Sequence, residues 1–195
     1  MMEKDEFRRR MRSLFMPEDR EVWRGDLHIR LIETYWIKAN IANSIKPKHI
    51  VEIGVGGGYS AWALLVGCDG AAKSYMGYDA YNGPQAADLY RWAWQLLGNV
   101  RVPCHKIVRL NSQMQGAFPA GDFFHIDGDH GKRSVYRDMV LAYTALPVGG
   151  HILLDDYDFI KDVKIASDLF CAEREGRLFV RHYDSFRGDL LIRKL

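Results

Sequence analysis

Residues 51–60, VEIGVGGGYS, carry the pattern that decides the fold of this 195-residue chain. The apolar run of residues 49–53 has the length of a strand, residues 54–58 form a glycine-rich turn, and residues 60–66 return to a helical pattern. Glycine permits positive φ angles and lets a ligand approach the backbone closely. The stretch therefore predicts a strand, a tight turn and the start of a helix, an arrangement suited to holding a small molecule.

Strand and helix patterns alternate along the rest of the chain. Strands are predicted at residues 75–78, 106–110, 123–126 and 151–154, and helices at residues 27–45, 85–97, 132–146 and 163–175. A further helical piece precedes a break near Pro17 and Gly25, and the runs 178–183 and 189–193 are predicted to form a closing hairpin. Alternation of this kind predicts an α/β fold with three layers, in which a doubly wound, mostly parallel sheet ends in an antiparallel hairpin.

Composition excludes several classes of function. A hydrophobic content of 48% and a charged content of 27% are those of a globular protein, and a net charge of +2 gives no reason to expect nucleic acid or an anionic membrane as a partner. No apolar run reaches the roughly 18 residues of a membrane span, and the charged N-terminus does not resemble a signal peptide. The three widely spaced cysteines, Cys68, Cys104 and Cys171, predict reduced, buried thiols and a cytoplasmic location.

Carboxylates follow two of the predicted strands. In the segment FFHIDGDH, one predicted strand is followed by Asp127 and Asp129. In the segment GGHILLDDY, the next predicted strand is followed by Asp155 and Asp156. Ligands of such sheets bind outside the carboxyl ends of the strands. Four like charges at one edge repel one another unless a cation, a proton or a positively charged substrate lies among them. This edge is therefore the predicted site of chemistry.

The glycine turn differs from the fingerprint of dinucleotide-binding proteins. The third glycine of a Gly-x-Gly-x-x-Gly motif would fall at Tyr59, which weakens the case for a pyrophosphate ligand. Glu52, directly before the turn, suits a cationic or hydroxyl-rich ligand better. An NAD-linked oxidoreductase is also disfavoured because the chain lacks a catalytic Tyr-x-x-x-Lys pattern.

The same segment resembles the first motif of class I S-adenosylmethionine-dependent methyltransferases, which have a Rossmann-like fold. The resemblance implies that the glycine turn contacts the amino acid part of the cofactor, that Glu52 is the acidic residue of the motif, and that Asp79 accepts both ribose hydroxyls. Asn111 and Ser112 fall where such enzymes contact adenine. The cofactor-binding residues that it implies are Glu52, Gly54, Gly56, Gly58, Tyr59, Ser60, Asp79, Asn111, Ser112 and Asp127.

From residue 50 to the C-terminus the chain resembles, more specifically, the metal-dependent O-methyltransferases of the catechol type and of the sugar and macrolide type. In that pattern the ligands of a divalent cation are Asp127, Asp155 and Asp156. Three carboxylates, with water and substrate oxygens, favour Mg²⁺, with Mn²⁺ as the other candidate. Such an ion would bind neighbouring hydroxyl oxygens and lower the pKa of one of them.

Two residues are candidates for the general base. His130, three residues after Asp127, occupies the position of the basic residue of the family, and a neutral imidazole can accept a hydroxyl proton. Asp129 is the alternative, as base, as partner of His130 or as an additional metal contact. The structural alternative is that Asp129 is a helix cap and His130 a helix N-terminal residue, without a catalytic role. His125 and His151 lie within apolar strands and are predicted to be core histidines.

The acceptor side is less specific. Aromatic residues concentrate in the segment 82–97, which is a candidate lid, and around it: Tyr81, Tyr90, Trp92 and Trp94. Residues 1–47 are predicted to be a helical segment for substrate or homo-oligomer contacts, and residues 48–195 the methyltransferase domain. The expected function is O-methylation of a vicinal diol or catechol-like hydroxyl on a small molecule, with a sugar or glycoside among the candidates. The alternative is a protein that binds S-adenosylmethionine without methyl transfer, as a sensor or partner subunit.

Overall fold

The computed structural model describes residues 2–16 and 26–195, so the predicted break near Pro17 and Gly25 lies outside the described residues. The helices are α1 (Lys4–Leu14), α2 (Asp26–Ile45), α3 (Tyr59–Cys68), α4 (Ala86–Gly98), α5 (Lys132–Ala145) and α6 (Lys161–Ala172). The strands are β1 (His49–Ile53), β2 (Ser74–Asp79), β3 (Cys104–Arg109), β4 (Phe123–Ile126), β5 (His151–Leu154), β6 (Leu178–Tyr183) and β7 (Asp189–Lys194).

One seven-stranded sheet organises these elements in the order β3-β2-β1-β4-β5-β7-β6. Strands β1 to β5 run parallel, and β7 lies antiparallel between β5 and β6. The predicted α/β fold with its C-terminal hairpin is confirmed. The chain first builds the sheet outward from β1 and then returns to add β4 on the other side, so the connections reverse direction between β1 and β4. A crevice opens at such a point, outside the carboxyl ends of the strands.

Two hydrophobic clusters cover the two faces of the sheet. On one face, side chains such as Leu64 of α3 and Leu97 of α4 pack on Tyr75 and Phe123. On the other face, helices α5 and α6 cover Phe124 and its neighbours. Successive strand residues point to opposite faces, which explains why Phe123 and Phe124 belong to different clusters. Continuous apolar strands are typical of a parallel sheet that is buried on both sides.

The N-terminal helices add a further cluster outside α3. Phe7 and Met11 of α1 are fully buried, and the ring of Phe7 lies 5.1 Å from that of Trp36 in α2 and 5.3 Å from that of Trp62 in α3. Trp92 of α4 donates its indole N–H to the carbonyl of Leu14 at 2.7 Å. Helix α1 is therefore tied to the parts of the chain that carry the glycine turn and the aromatic segment.

Predicted boundaries differ most at the edge of the sheet. Strand β3 begins at Cys104, before the predicted start at residue 106. The start was missed because only one of the six side chains is buried and the strand has no continuous apolar run. Cys104 is accordingly exposed, which corrects the expectation of a buried thiol, whereas Cys68 is buried; all three cysteines are free. None of the described helices is both long and apolar enough to cross a bilayer.

Two helical glycines provide a matched test of the packing between α2 and α3. A Cβ atom on Gly67 would lie 2.1 Å from the carbonyl oxygen of Ala39, whereas one on Gly98 would meet nothing within 4 Å. We expect Gly67→Ala to lower the free energy of unfolding by about 1–3 kcal/mol through overpacking. Gly98→Ala should leave it unchanged or raise it by up to about 1 kcal/mol. Urea denaturation of both variants checks this, and equal effects would contradict the close packing.

Candidate active site

The glycine turn after β1 lies directly against the end of β4. Gly54 has a φ of +85°, and a Cβ atom there would lie 1.9 Å from the carbonyl oxygen of Asp127. The Gly54 N–H donates to the carbonyl of Tyr78 at 2.8 Å, which also joins the turn to β2. Only glycine fits this position, because both the positive φ and the close approach exclude a side chain.

Asp79, at the end of β2, fixes the turn from the other side. Its Oδ2 accepts hydrogen bonds from the backbone N–H groups of Val55 (2.9 Å) and Gly56 (2.8 Å), and its Oδ1 accepts one from Tyr81 N–H at 2.8 Å. The Tyr81 hydroxyl donates to the carbonyl of Gly56 at 3.0 Å. The carboxylate therefore holds the glycine turn open toward the crevice while remaining at its surface.

Two adjoining cavities lie at this edge of the sheet and share Gly54, Asp79 and Asp127. The larger, of about 350 Å³, is lined by Ile53, Gly54, Tyr78, Asp79, Ala80, Asn82, Asn111, Ser112, Asp127, Gly128 and Asp129. The smaller, of about 190 Å³, is lined by Tyr35, Gly54, Val55, Gly56, Gly57, Tyr59, Ser60, Asp79 and Asp127. Eight of the ten predicted cofactor residues line one cavity or both, and the exceptions are Glu52 and Gly58. Tyr35, an aromatic residue of α2, also lines the smaller cavity and is not among those ten residues.

Glu52 lies inside the protein and not in the cavity. Its fully buried carboxylate accepts hydrogen bonds from Ser60 Oγ at 2.6 Å, from the Tyr75 hydroxyl and from His125 Nδ1 at 2.8 Å. A carboxylate with three protein partners stabilises the frame of the turn and does not face a ligand. His125 is the buried core histidine predicted from the sequence, whereas His151 is only partly buried. Gly58 also faces away from the cavities, since a Cβ there would lie 3.0 Å from Ala93 in α4.

The loop after β3 is held on α5. Asn111 caps a short 3₁₀ helix (Ser112–Met114) by accepting from Gln113 N–H at 2.9 Å. Ser112 Oγ and Gln113 Nε2 donate to the carboxylate of Asp138 at 2.9 and 3.0 Å, and Arg137 donates to the carbonyl of Ser112 at 3.0 Å. Asp138 is fully buried, and burial raises the pKa of its carboxyl to about 6. Asp138 thus fixes one wall of the larger cavity from behind.

Among the described residues, one group of side chains has the composition of a metal site: Asp127, His130 and Asp156, whose candidate ligand atoms all lie within 4.8 Å of one another. His130 Nε2 lies 3.5 Å from Asp127 Oδ1 and 3.1 Å from Asp156 Oδ2. Hydrogen bonds to Asp127 and Asp156 raise the pKa of His130 to about 10, so without another cation it is an imidazolium. Burial raises the pKa of Asp127 to about 6, and the charge of Asp155 acts in the same direction.

Asp155, the third predicted metal ligand, is not part of that group. Its Oδ2 lies 3.2 Å from Nζ of Lys38, a fully buried residue of α2 that also pairs with the buried Asp189 at the start of β7. Although burial opposes ionisation, the charge of Lys38 holds the pKa of Asp155 below its usual range. Lys38 and Asp189 escaped the sequence analysis. The signal was a charged residue on the buried face of α2, between the buried Thr34 and Ala42.

Asp129 and Arg187 complete the edge. Asp129 accepts from Gly131 N–H and Ser134 Oγ, both at 2.9 Å, at the start of α5, which is the geometry of the helix-cap alternative, and it also lines the larger cavity. Arg187, from the turn between β6 and β7, places Nη1 3.5 Å from Asp156 Oδ1. The acidic strand ends therefore meet cations from α2, from the start of α5 and from the hairpin.

The chain is similar in sequence to one known protein family. The model of a family described as a methyltransferase domain matches residues 51–157, more than half of the chain. A search among curated proteins gives no significant match.

Solved structures with the same fold include the following three methyltransferases, each of low sequence identity to this chain. An O-methyltransferase from Bacillus cereus in complex with S-adenosylhomocysteine is 19% identical, with a TM-score of 0.64 over 84% of this chain and 81% of that one. A methyltransferase from Podospora anserina bound to S-adenosylhomocysteine is 21% identical, with a TM-score of 0.63 over 98% and 87%. An O-methyltransferase from Streptomyces achromogenes, involved in tomaymycin synthesis and in complex with S-adenosylmethionine, is 14% identical, with a TM-score of 0.60 over 98% and 88%.

The buried carboxyl of Asp138 gives a pH-dependent expectation. Because its pKa is raised from 3.8 to about 6, the folded protein holds this proton more tightly than the unfolded chain. The contribution of Asp138 to stability, relative to asparagine, should therefore fall as the pH rises from 4 to 7, by at most about 3 kcal/mol. Urea denaturation of wild type and Asp138→Asn at several pH values measures this difference. A difference in stability that does not change with pH would contradict the raised pKa of Asp138.

Proposed function

This chain belongs to the methyltransferase domain family, and from that membership we propose that it is an S-adenosylmethionine-dependent O-methyltransferase acting on neighbouring hydroxyl groups of a small molecule, with Mg²⁺ or Mn²⁺ as its metal. The acceptor would be a catechol-like ring or a vicinal diol, including that of a sugar. One observation carries the proposal: Gly54 and Asp79, suited to a cofactor, share a cavity wall with Asp127, which belongs to the group suited to a cation.

The cofactor half of the proposal depends on Asp79 and the glycine turn. A carboxylate has about four acceptor positions, and three at Asp79 are occupied by backbone N–H groups. One position is free for a ribose hydroxyl, and acceptance of both hydroxyls requires Asp79 to give up one backbone bond. S-Adenosylmethionine would bring its methyl group on a positively charged sulfur, which Asp127 at the shared wall attracts. The cofactor complexes of the Bacillus and Streptomyces proteins support this half.

The acceptor half depends on Asp127, Asp156 and His130. The carboxylates of Asp127 and Asp156 suit Mg²⁺ or Mn²⁺, and such an ion would lower the pKa of a bound hydroxyl. The imidazole of His130 lies within 3.5 Å of both carboxylates, so it would lie beside a hydroxyl bound there as a base and not as a ligand of the ion. It can accept a proton only in its neutral form, and the two carboxylates favour the charged form. The base is therefore available once these carboxylates are neutralised by another charge.

A second candidate is a protein that binds the cofactor without transferring the methyl group. The observation in its favour is that Lys38, His130 and Arg187 already compensate the acidic strand ends without a bound metal. It differs from the first candidate in requiring neither an acceptor nor an ion.

Calorimetry with S-adenosylhomocysteine tests the cofactor half. We expect Asp79→Asn to weaken binding by about tenfold or more, because a hydrogen bond to a charged group contributes about 1.5–3 kcal/mol. Asp88→Asn, which changes an exposed aspartate of α4, is the control and should bind like wild type. Thermal unfolding shows whether the variants remain folded. Wild-type affinity in a folded Asp79→Asn protein would mean that Asp79 does not bind the ribose.

Transfer of a labelled methyl group tests the acceptor half. We expect catechols and vicinal diols to be methylated in an EDTA-sensitive reaction, and single alcohols to be poor acceptors. His130→Gln should lower kcat by about 10²–10⁴-fold, the range for a lost general base, without changing affinity for S-adenosylhomocysteine. Asp129→Asn is the matched control and should have a smaller effect.

Each failure in this assay has a distinct meaning. A larger loss in Asp129→Asn than in His130→Gln would make Asp129 the base. Transfer that EDTA does not inhibit would remove the metal from the proposal. Cofactor binding without transfer to any acceptor of these classes would favour the second candidate.

A further inference from the structure

Lys38 is a fully buried charge beside the acidic strand ends. It lies in α2, outside the part of the chain that matches the family, and its Nζ contacts the carboxylates of Asp155 and Asp189. Burial of a lysine is costly unless its charge is compensated. Here two carboxylates overcome the effect of burial and raise the pKa of Lys38, so the residue is an ammonium group.

Each oxygen of the Asp155 carboxylate already has a partner within the protein. Asp155 Oδ2 faces Lys38 at 3.2 Å, and Oδ1 accepts the backbone N–H of Asp156 at 2.9 Å. Asp156 itself has a φ of +60°, which turns it out of the line of β5, and its side chain meets His130 instead. The two adjacent aspartates thus have different partners: Asp155 has Lys38, and Asp156 has His130 and Arg187.

We propose that Lys38 is a positioning residue that keeps Asp155 out of the coordination sphere of the divalent ion, so that the protein supplies the ion with Asp127 and Asp156 and leaves its other positions to water and the acceptor. The inference rests on the proposed function insofar as it concerns the ion of that site. The charge of Asp155 is then directed at the Lys38 ammonium group, which it shares with Asp189, and not at the ion. The ion is held by one carboxylate fewer than the family resemblance implies.

Charge supports this division. With Lys38 paired to Asp155 and Asp189, the acidic groups of the candidate metal site left to attract an ion are Asp127 and Asp156, and His130 and Arg187 already contact them. Affinity of oxygen sites for divalent ions increases with the number of charged ligands. Removal of Lys38 together with one of its two partners should therefore strengthen ion binding only when Asp155 is the partner that is kept.

Two double variants with the net charge of wild type form a matched pair. Lys38→Met with Asp189→Asn keeps Asp155 and releases it from its cation, and Lys38→Met with Asp155→Asn removes the ion pair itself. The measurement is Mn²⁺ binding, followed by electron paramagnetic resonance in the presence of S-adenosylhomocysteine, so that no turnover is needed. Thermal unfolding and affinity for S-adenosylhomocysteine show that each variant is folded.

The two variants should differ in a defined direction. We expect Mn²⁺ to bind about tenfold more tightly to the variant that keeps Asp155, because a third carboxylate becomes available. The variant without Asp155 should stay within about threefold of wild type, as expected for a group that is not a ligand. Equal affinity in the two variants, or loss of Mn²⁺ binding in the variant without Asp155, would overturn the inference while the metal site itself stands.

Failure of the proposed function gives a different result. If wild type binds no Mn²⁺ but the variant that keeps Asp155 does, Lys38 takes the place of the ion and the metal requirement of wild type is wrong. If neither binds, both proposals are wrong. Should the double variants not fold, anomalous diffraction from wild-type crystals with Mn²⁺ decides instead: an ion on Asp127 and Asp156 with Asp155 still on Lys38 supports the inference, and an ion on Asp155, or none bound, overturns it.

Discussion

The close approach of Gly54 to the backbone of Asp127 is the constraint on which the rest of the site depends. A Cβ atom at residue 54 would lie 1.9 Å from the Asp127 carbonyl oxygen, so the turn after β1 and the end of β4 can meet only because residue 54 is glycine. This contact lies at the reversal of the sheet order, where a crevice opens. As a result, the glycine turn suited to a cofactor touches the backbone of Asp127, whose side chain belongs to the group suited to a cation. A methyl donor and a hydroxyl acceptor need that proximity, since effective transfer requires the reacting atoms to be held close together.

Compensation of charge is the second organising feature. Asp127, Asp155, Asp156 and Asp189 lie close together and largely buried, and such carboxylates are stable only when they are paired and hydrogen-bonded. The partners come from distant parts of the chain: Lys38 from α2, His130 from the start of α5, and Arg187 from the hairpin turn. The same contacts therefore attach α2 and the hairpin to the edge of the sheet that carries the candidate site. Any change in the charge at this edge acts on the packing of both elements.

Much of the fold could be predicted from sequence because its signals are local. Strand β4, for example, has its predicted bounds since a continuous apolar run ends in Asp-Gly-Asp, and Asp79 was singled out because it directly follows the predicted strand 75–78. The prediction was weaker where partners are far apart. Glu52 directly precedes the glycine turn, but its carboxylate is bound by Ser60, Tyr75 and His125 from three other elements. Asp155 stands beside Asp156, yet the two differ in environment because Lys38 reaches one of them from 117 positions earlier in the chain.

This contrast separates the two halves of the site. The glycine turn and Asp79 are held by backbone contacts and short-range hydrogen bonds, which a local sequence pattern can indicate. The acidic strand ends are held by Lys38 of α2 and by Arg187 of the hairpin, which contact them over long sequence separations. Such contacts can change without any effect on the turns. If the proposed function holds, the identity of the acceptor and the manner in which an ion is held should therefore be determined by α2 and the hairpin, whereas the sheet should determine where the methyl group is delivered.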